Sequence, residues 1–410
     1  MTNALHTLTQ LPKEELRERG LENTPREIEI QPALWLDNFE DLRKRENEIR
    51  TFVESNIMRE GREVVLMGAG TSSHIGLSSQ NLLRSKWSLA FEVVPTTDMI
   101  THYDSILVRN KKYSFISFAR SGNSPESLGA YALVNRFCHR PNHIVITCNE
   151  EGELAKLVSR SADTLLIDLL PETNDRGLAM TSSFTSMLMT AQFLAYIHDV
   201  EGYRRVLESI SRSAKVVLEE FSDELADICK LGFGRAVFLG SGALFGSAVE
   251  SQLKLQEMTS GSVICKADTF MGVRHGPRVI IDDETLVVYF LSKEKWARRY
   301  EVDLMKQIHG KKQGMRRIAV CENGDDADVR RFADFTVDLG RKAGYDIPDL
   351  CRPILDVLVG QLLGLFKSLS LGLKPDSPNK SGVIARVVEG VRIYDAEYYE
   401  RHGKFKVLFE

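Results

Sequence analysis

Four landmarks between residues 60 and 170 recur in the same order about 170 residues later. The run Arg62-Glu63-Val64-Val65-Leu66-Met67-Gly68-Ala69-Gly70 returns as Arg235-Ala236-Val237-Phe238-Leu239-Gly240-Ser241-Gly242. Ser114-Phe115-Ile116-Ser117-Phe118 is answered by Leu286-Val287-Val288-Tyr289-Phe290, and His143-Ile144-Val145-Ile146-Thr147-Cys148 by Arg317-Ile318-Ala319-Val320-Cys321. Ala162-Asp163-Thr164-Leu165-Leu166-Ile167-Asp168-Leu169 is matched by Ala333-Asp334-Phe335-Thr336-Val337-Asp338-Leu339. A self-similarity of this period is the signature of a duplicated domain. Each landmark is a short apolar run, then a small or polar turn, then a helix-like stretch, as in buried parallel strands joined by crossover helices. The expected fold class is therefore α/β: two three-layer domains with parallel sheets.

In such sheets ligands bind beyond the carboxyl ends of the strands, and three turns at these places in the first copy are rich in hydroxyls. Gly68-Ala69-Gly70-Thr71-Ser72-Ser73 follows the first run, Arg120-Ser121-Gly122-Asn123-Ser124-Pro125-Glu126 the second, and Met180-Thr181-Ser182-Ser183 opens an apolar helix. A phosphate monoester needs several donors at once, which helix N-termini and hydroxyls supply, and Arg120 adds a charge. A dinucleotide fingerprint fits the first turn less well: Ser73 holds the third glycine position, and no acidic residue closes Phe91-Glu92-Val93-Val94-Pro95. A tight turn with an N-cap explains any one of the three alone. Three in one repeat unit point to phosphate.

The second copy has a different inventory. Its first turn, Gly240 to Gly246, has lost most hydroxyls, and the stretch after it places Glu250, Lys254 and Glu257 on one helical face. Two carboxylates around an ammonium suit acid–base work, although an exposed salt-bridged face has the same spacing. Gly272-Val273-Arg274-His275-Gly276-Pro277 then puts a histidine in a turn where packing gives it no task.

Composition removes other classes. At 410 residues, 43% hydrophobic and 27% charged, the chain has the profile of a globular protein with two ordinary cores. A net charge of −4 gives no basic field for nucleic acid. Six cysteines without CxxC spacing suit a reducing cytoplasm. The early stretch carries Lys13, Glu14, Glu15, Arg17 and Glu18 rather than a secretion signal, and the apolar stretch Pro353 to Leu373, interrupted by Asp356, Gln361 and Lys367, reads as a core or interface helix and not a membrane span. The expected organisation is a helical arm over 1–60, the first sheet domain over 61–200, a helical connector over 201–230, the second domain over 231–390 and a tail over 391–410.

These motifs resemble paired sugar isomerase (SIS) domains, as in the isomerase half of glucosamine-6-phosphate synthase, and more closely the galactosamine-6-phosphate deaminase family, also described as tagatose-6-phosphate ketose/aldose isomerases. The resemblance is carried by Gly68 to Ser72, Ser117 to Ser127, Ile146 to Asn149, Asn174 to Ser183, Gly272 to Pro277 and Arg386 to Val391, and spans most of the chain. It implies two tandem doubly wound SIS domains. Position by position it implies that Ser72, Ser121, Ser124 and Thr181 contact the sugar phosphate, with Arg120 where the synthase has an amide. It implies that Glu257 moves a proton between the first two sugar carbons, that His275 helps open the ring, from a neighbouring subunit in paired dimers, and that Lys254 is an active-site lysine. Gly70, Thr71, Ser182, Glu250, Lys380 and Arg386 stand close enough in the motifs to be further substrate contacts, Lys380 and Arg386 both matching the loop that holds the synthase's imine-forming lysine.

The implied reaction is aldose–ketose interconversion of a phosphosugar, and for a 2-amino sugar, deamination as well. A plain tagatose-6-phosphate isomerase, a fructosamine-type deglycase and a sugar-phosphate-sensing regulator are the alternatives, the last lacking any DNA-binding arm here. A small-molecule sugar phosphate is the expected partner, with no nucleic acid, no membrane, no cofactor and no metal, in a homodimer or higher homo-oligomer with a shared site.

Overall fold

The computed structural model of the chain describes residues 3–59, 61–108, 110–159, 161–344, 346–379, 382, 384–388 and 390–409. Strands β1 (Arg62–Gly68), β2 (Phe91–Pro95), β3 (Lys112–Ala119), β4 (Asn142–Thr147) and β5 (Thr164–Asp168) form one sheet in the order β2-β1-β3-β4-β5. All its pairings are parallel. Val64 to Met67 and Ile144 to Ile146 are buried on both faces, which is why these strands read as unbroken apolar runs. Helix α1 (Thr71–Trp87) follows β1, α2 (Pro125–Phe137) follows β3, and α3 (Ser182–Ala195) begins after the third hydroxyl turn.

The second sheet repeats the first. Strands β6 (Arg235–Leu239), β7 (Ile264–Asp268), β8 (Thr285–Phe290), β9 (Arg316–Cys321) and β10 (Phe335–Asp338) are ordered β7-β6-β8-β9-β10, again parallel throughout. Helix α4 (Leu244–Met258) follows β6, as α1 follows β1. Helix α5 (Pro353–Ser370) is long and apolar enough to cross a bilayer, yet every residue from Pro353 to Ser368 is buried within the protein. It is a core helix, as its interrupting charges predict.

The chain divides into two compact units, each holding one sheet, and neither is continuous in sequence. Residues 38–174, 186–200 and 382–410 make the first-sheet unit; residues 1–37, 175–185 and 201–381 make the second-sheet unit. The amino-terminal stretch is helical as expected, with helices at Ala4–Thr9, Lys13–Arg19, Thr24–Glu29, Gln31–Lys44 and Glu46–Phe52. Among its apolar side chains, Trp35, Phe39, Leu42 and Ile49 are buried and Phe52 is half-buried.

Residues 393–409 are folded rather than trailing. Strands β11 (Ile393–Tyr394) and β12 (Val407–Phe409) pair antiparallel around helix α6 (Ala396–His402). Gly129 on α2 admits them, because a Cβ there would lie 2.7 Å from Ile393 Cγ2. Glu397 pairs with Arg136, and Tyr103 donates to Glu400 at 2.7 Å.

Candidate active site

In the first-sheet unit, β1 and β3 are neighbours in register, Met67 opposite Ser117, so their following turns leave one edge of the sheet side by side. The β1 turn is tight. A Cβ on Gly68 would lie 2.4 Å from the Ser72 carbonyl carbon, and Gly70 adopts a left-handed φ of 54° to start α1. Thr71 and Ser72 are buried in that first turn.

The β3 turn is braced from behind. Thr147 Oγ1 donates to the Ala119 carbonyl at 2.8 Å, Asn149 Nδ2 to the Ser121 carbonyl at 2.9 Å, and Leu154 N–H to Gly122 at 2.9 Å. Gly122 takes φ 65°, and Ser124 caps α2 by accepting from the Ser127 amide. Ser121 and Ser124 remain half-buried at this edge. Arg120 is buried and donates to the Arg386 carbonyl, while the Arg386 guanidinium donates to Asn174 Oδ1 at 2.6 Å. Two guanidinium groups thus stand by the turn. Lys380 lies outside the described residues.

The third hydroxyl turn behaves differently. Thr181, Ser182 and Ser183 are fully buried in the second-sheet unit, and their amides and hydroxyls converge on the Asp175 carboxylate. The amides of Thr181, Ser182 and Ser183 donate at 2.7, 3.1 and 2.8 Å, and their hydroxyls at 3.2, 2.5 and 2.5 Å. An internal carboxylate therefore takes the place at the start of α3 that a phosphate was expected to take. This corrects the expectation for Thr181 and Ser182, whose donors are committed within the chain. Asp175 carries no sequence periodicity; its signal is an acidic residue in the Asn174-Asp175-Arg176-Gly177 turn shortly before a Ser/Thr run.

In the second-sheet unit, Lys254 Nζ lies 2.7 Å from Glu257 Oε2 and 3.3 Å from Glu250 Oε1. The face read from the spacing exists, but α4 turns it inward. Lys254 and Glu250 side chains are 0% exposed, whereas Glu257 keeps 26%. Burial alone would lower the Lys254 ammonium, but Glu250 and Glu257 outweigh it and hold the group above the ordinary lysine value. Of the three, Glu257 alone is partly exposed. Glu250 stands as a buried counter-ion to Lys254, and neither side chain reaches the surface of this chain. His275 is exposed, closing a 3-10 turn (Gly272–Arg274) just before Gly276 at φ 117°, and it is not bonded to the buried triad.

The fold is thus a duplicated parallel α/β architecture, with hydroxyl turns at one sheet and a buried ammonium beside a partly exposed carboxylate on the other unit. The SIS domain family matches residues 57–197. The chain is 35% identical over 373 residues to D-galactosamine-6-phosphate deaminase AgaS of Escherichia coli, covering 90% of this chain and 95% of that one. Among solved structures, a Clostridium novyi protein provisionally titled a tagatose-6-phosphate ketose/aldose isomerase superposes with a TM-score of 0.91 at 34% identity, covering 96% of this chain and 100% of that one. The tagatose-6-phosphate ketose/aldose isomerase of Escherichia coli superposes with a TM-score of 0.81 at 32% identity, over 91% and 97%. The chain belongs to the SIS-domain family that includes the galactosamine-6-phosphate deaminase AgaS.

Proposed function

We propose that the protein converts an amino-sugar 6-phosphate of the galactosamine type into a ketose 6-phosphate with release of ammonia. The observation that carries this reading is Glu257, the accessible carboxylate of the Glu250–Lys254–Glu257 group. The identity to AgaS over nine-tenths of the chain supports the substrate class. With the open-chain aldehyde bound, Glu257 takes the proton from carbon 2, leaving an enolamine, and returns it to carbon 1. The carbon-1 oxygen gains a proton and the amine nitrogen loses one, so carbon 1 becomes a CH2OH and carbon 2 an imine. Water adds to that imine, ammonia leaves, and the ketose carbonyl remains. Lys254 orients Glu257 through their 2.7 Å contact, and His275 serves ring opening.

Ser72, Ser121 and Ser124 hold the phosphate in this reading, with Arg120 and Arg386 adding positive charge to the turn. A homodimer in which His275 reaches the neighbouring subunit's site suits its exposed turn, and a cytoplasmic location suits six free cysteines. A second reading, simple ketose/aldose isomerisation of tagatose 6-phosphate, is favoured by the likeness to the Escherichia coli isomerase.

The deciding experiment is a panel of hexosamine and ketose 6-phosphates with ammonia and ketose both measured. Ammonia from galactosamine 6-phosphate supports the first reading. Isomerisation of tagatose 6-phosphate without ammonia from any amino sugar replaces it with the second.

A further inference from the structure

Helix α5 lies against α4 so closely that two of its residues have no room for a side chain. A Cβ on Gly360 would lie 2.3 Å from Ser251 Cβ and 2.6 Å from Ser251 Cα, and one on Gly364 would lie 2.8 Å from Met258 Sδ and 3.0 Å from the Lys254 carbonyl oxygen. These contacts fall beside each member of the charged group: Ser251 follows Glu250, Lys254 is the ammonium itself, and Met258 follows Glu257. Most of the obstructing atoms are backbone or Cβ, so α4 could not yield by rotating a side chain.

Between the two glycines, Gln361 faces another way and fixes α5 itself. Its Oε1 accepts from Gln31 Nε2 at 2.7 Å and its Nε2 donates to the Thr181 carbonyl at 3.3 Å. Gln31 Oε1 in turn accepts from Thr185 Oγ1 at 2.7 Å, and that hydroxyl accepts from Trp35 Nε1 at 2.9 Å. All of these side chains are fully buried, so each bond is costly to break. At the start of the helix, Arg352 donates to the Leu291 carbonyl just beyond β8 at 2.6 Å and pairs with Asp349 and Asp356.

We propose that Gly360 and Gly364 are positioning residues: pressed by an α5 anchored at Arg352 and Gln361, they set the height of α4 and hence where Lys254 and Glu257 stand. This rests on Glu257 as the proton-transfer base. A displacement of about 1 Å at a reacting group can cost about 100-fold in rate. Gly364→Ala and Gly360→Ala therefore lower kcat by about 10–100-fold with KM changed less than about threefold, because α4 carries Lys254 and Glu257 together away from the bound sugar. Adding Ser251→Gly to Gly360→Ala removes two of the three obstructing atoms and recovers part of the loss. Gly310→Ala, at a helical glycine with open space around it, is the control and leaves kcat unchanged.

Crystal structures of the variants separate this proposal from the assigned reaction, since α4 moves whether or not the right sugar has been found. Alanine variants that fold, keep kcat within twofold and leave α4 in place overturn the proposal. Should both fail to fold, Gln361→Leu carries the test: it releases α5 without crowding α4, and an unchanged kcat with α4 unmoved overturns it equally.

Discussion

Lys254 Nζ bonds Glu257 Oε2 at 2.7 Å while lying fully buried, so the charge beside this half-buried carboxylate never meets solvent itself. The two glutamates of this helix then fail in different ways. Glu257→Gln removes the base but little buried charge, and turnover falls by about 10²–10⁴-fold with the melting temperature nearly kept. Glu250→Gln strips a counter-ion from a buried ammonium, so its main effect is a loss of about 3–5 kcal/mol of stability. Exchange of the carbon-2 hydrogen with deuterated water separates them. Exchange at the parent rate in Glu257→Gln means that the base lies elsewhere.

The three hydroxyl turns divide in the same way. Ser121→Ala and Ser124→Ala together raise KM, since hydrogen bonds to a charged group contribute about 1.5–3 kcal/mol each. Thr181→Ala leaves KM alone and lowers thermal stability, because its donors serve Asp175. A Thr181→Ala enzyme with raised KM and parental melting would restore that residue to the phosphate site.

Two buried groups give stability opposite pH dependences. His143 stacks on Phe115 and meets Tyr131 at a tilt, with neither ring nitrogen bonded, and burial pushes its pKa down from 6.5 to about 3. The unfolded chain takes up the proton first, so this contribution is present above about pH 6.5 and is lost as pH falls toward 3. Burial, then the charges of Asp175 and Asp376, push Glu27 up from 4.5 to about 8 against the amides of Arg176 and Gly177. The folded chain keeps that proton longer, so this contribution is full below about pH 4.5 and is lost as pH rises toward 8. Unfolding free energies measured from pH 4 to 9 show the acid limb flattened in His143→Phe and the alkaline limb flattened in Glu27→Gln. The same limb persisting in its variant refutes that assignment.

Subunit sharing has a direct assay. His275→Ala and Glu257→Gln chains, each nearly inactive, recover part of the activity after subunit exchange if a site draws on two chains. A mixture as inactive as its parents leaves His275 serving its own chain.

The fold was legible because strands buried on both faces must be apolar throughout, and runs such as Val64 to Met67 and Leu286 to Phe290 admit few other interpretations. The spacing of Glu250, Lys254 and Glu257 was equally plain, being a property of any helix. Which of them faces solvent was not. That follows from how α5 packs on α4, a contact between residues about a hundred positions apart. The Ser/Thr run at 181–183 announced donors but not their acceptor, since Asp175 reaches them across a loop that obeys no period.

Because both units are assembled from separated stretches, neither can be excised as one fragment. The first-sheet unit also has to wait during synthesis. Its five strands are translated by residue 168, but Ile393, which fills the space left at Gly129, emerges only after every strand of the other sheet. For most of its translation the chain therefore carries an open apolar notch on α2, and any termination between residues 340 and 390 leaves that notch uncovered for chaperones or proteases to find.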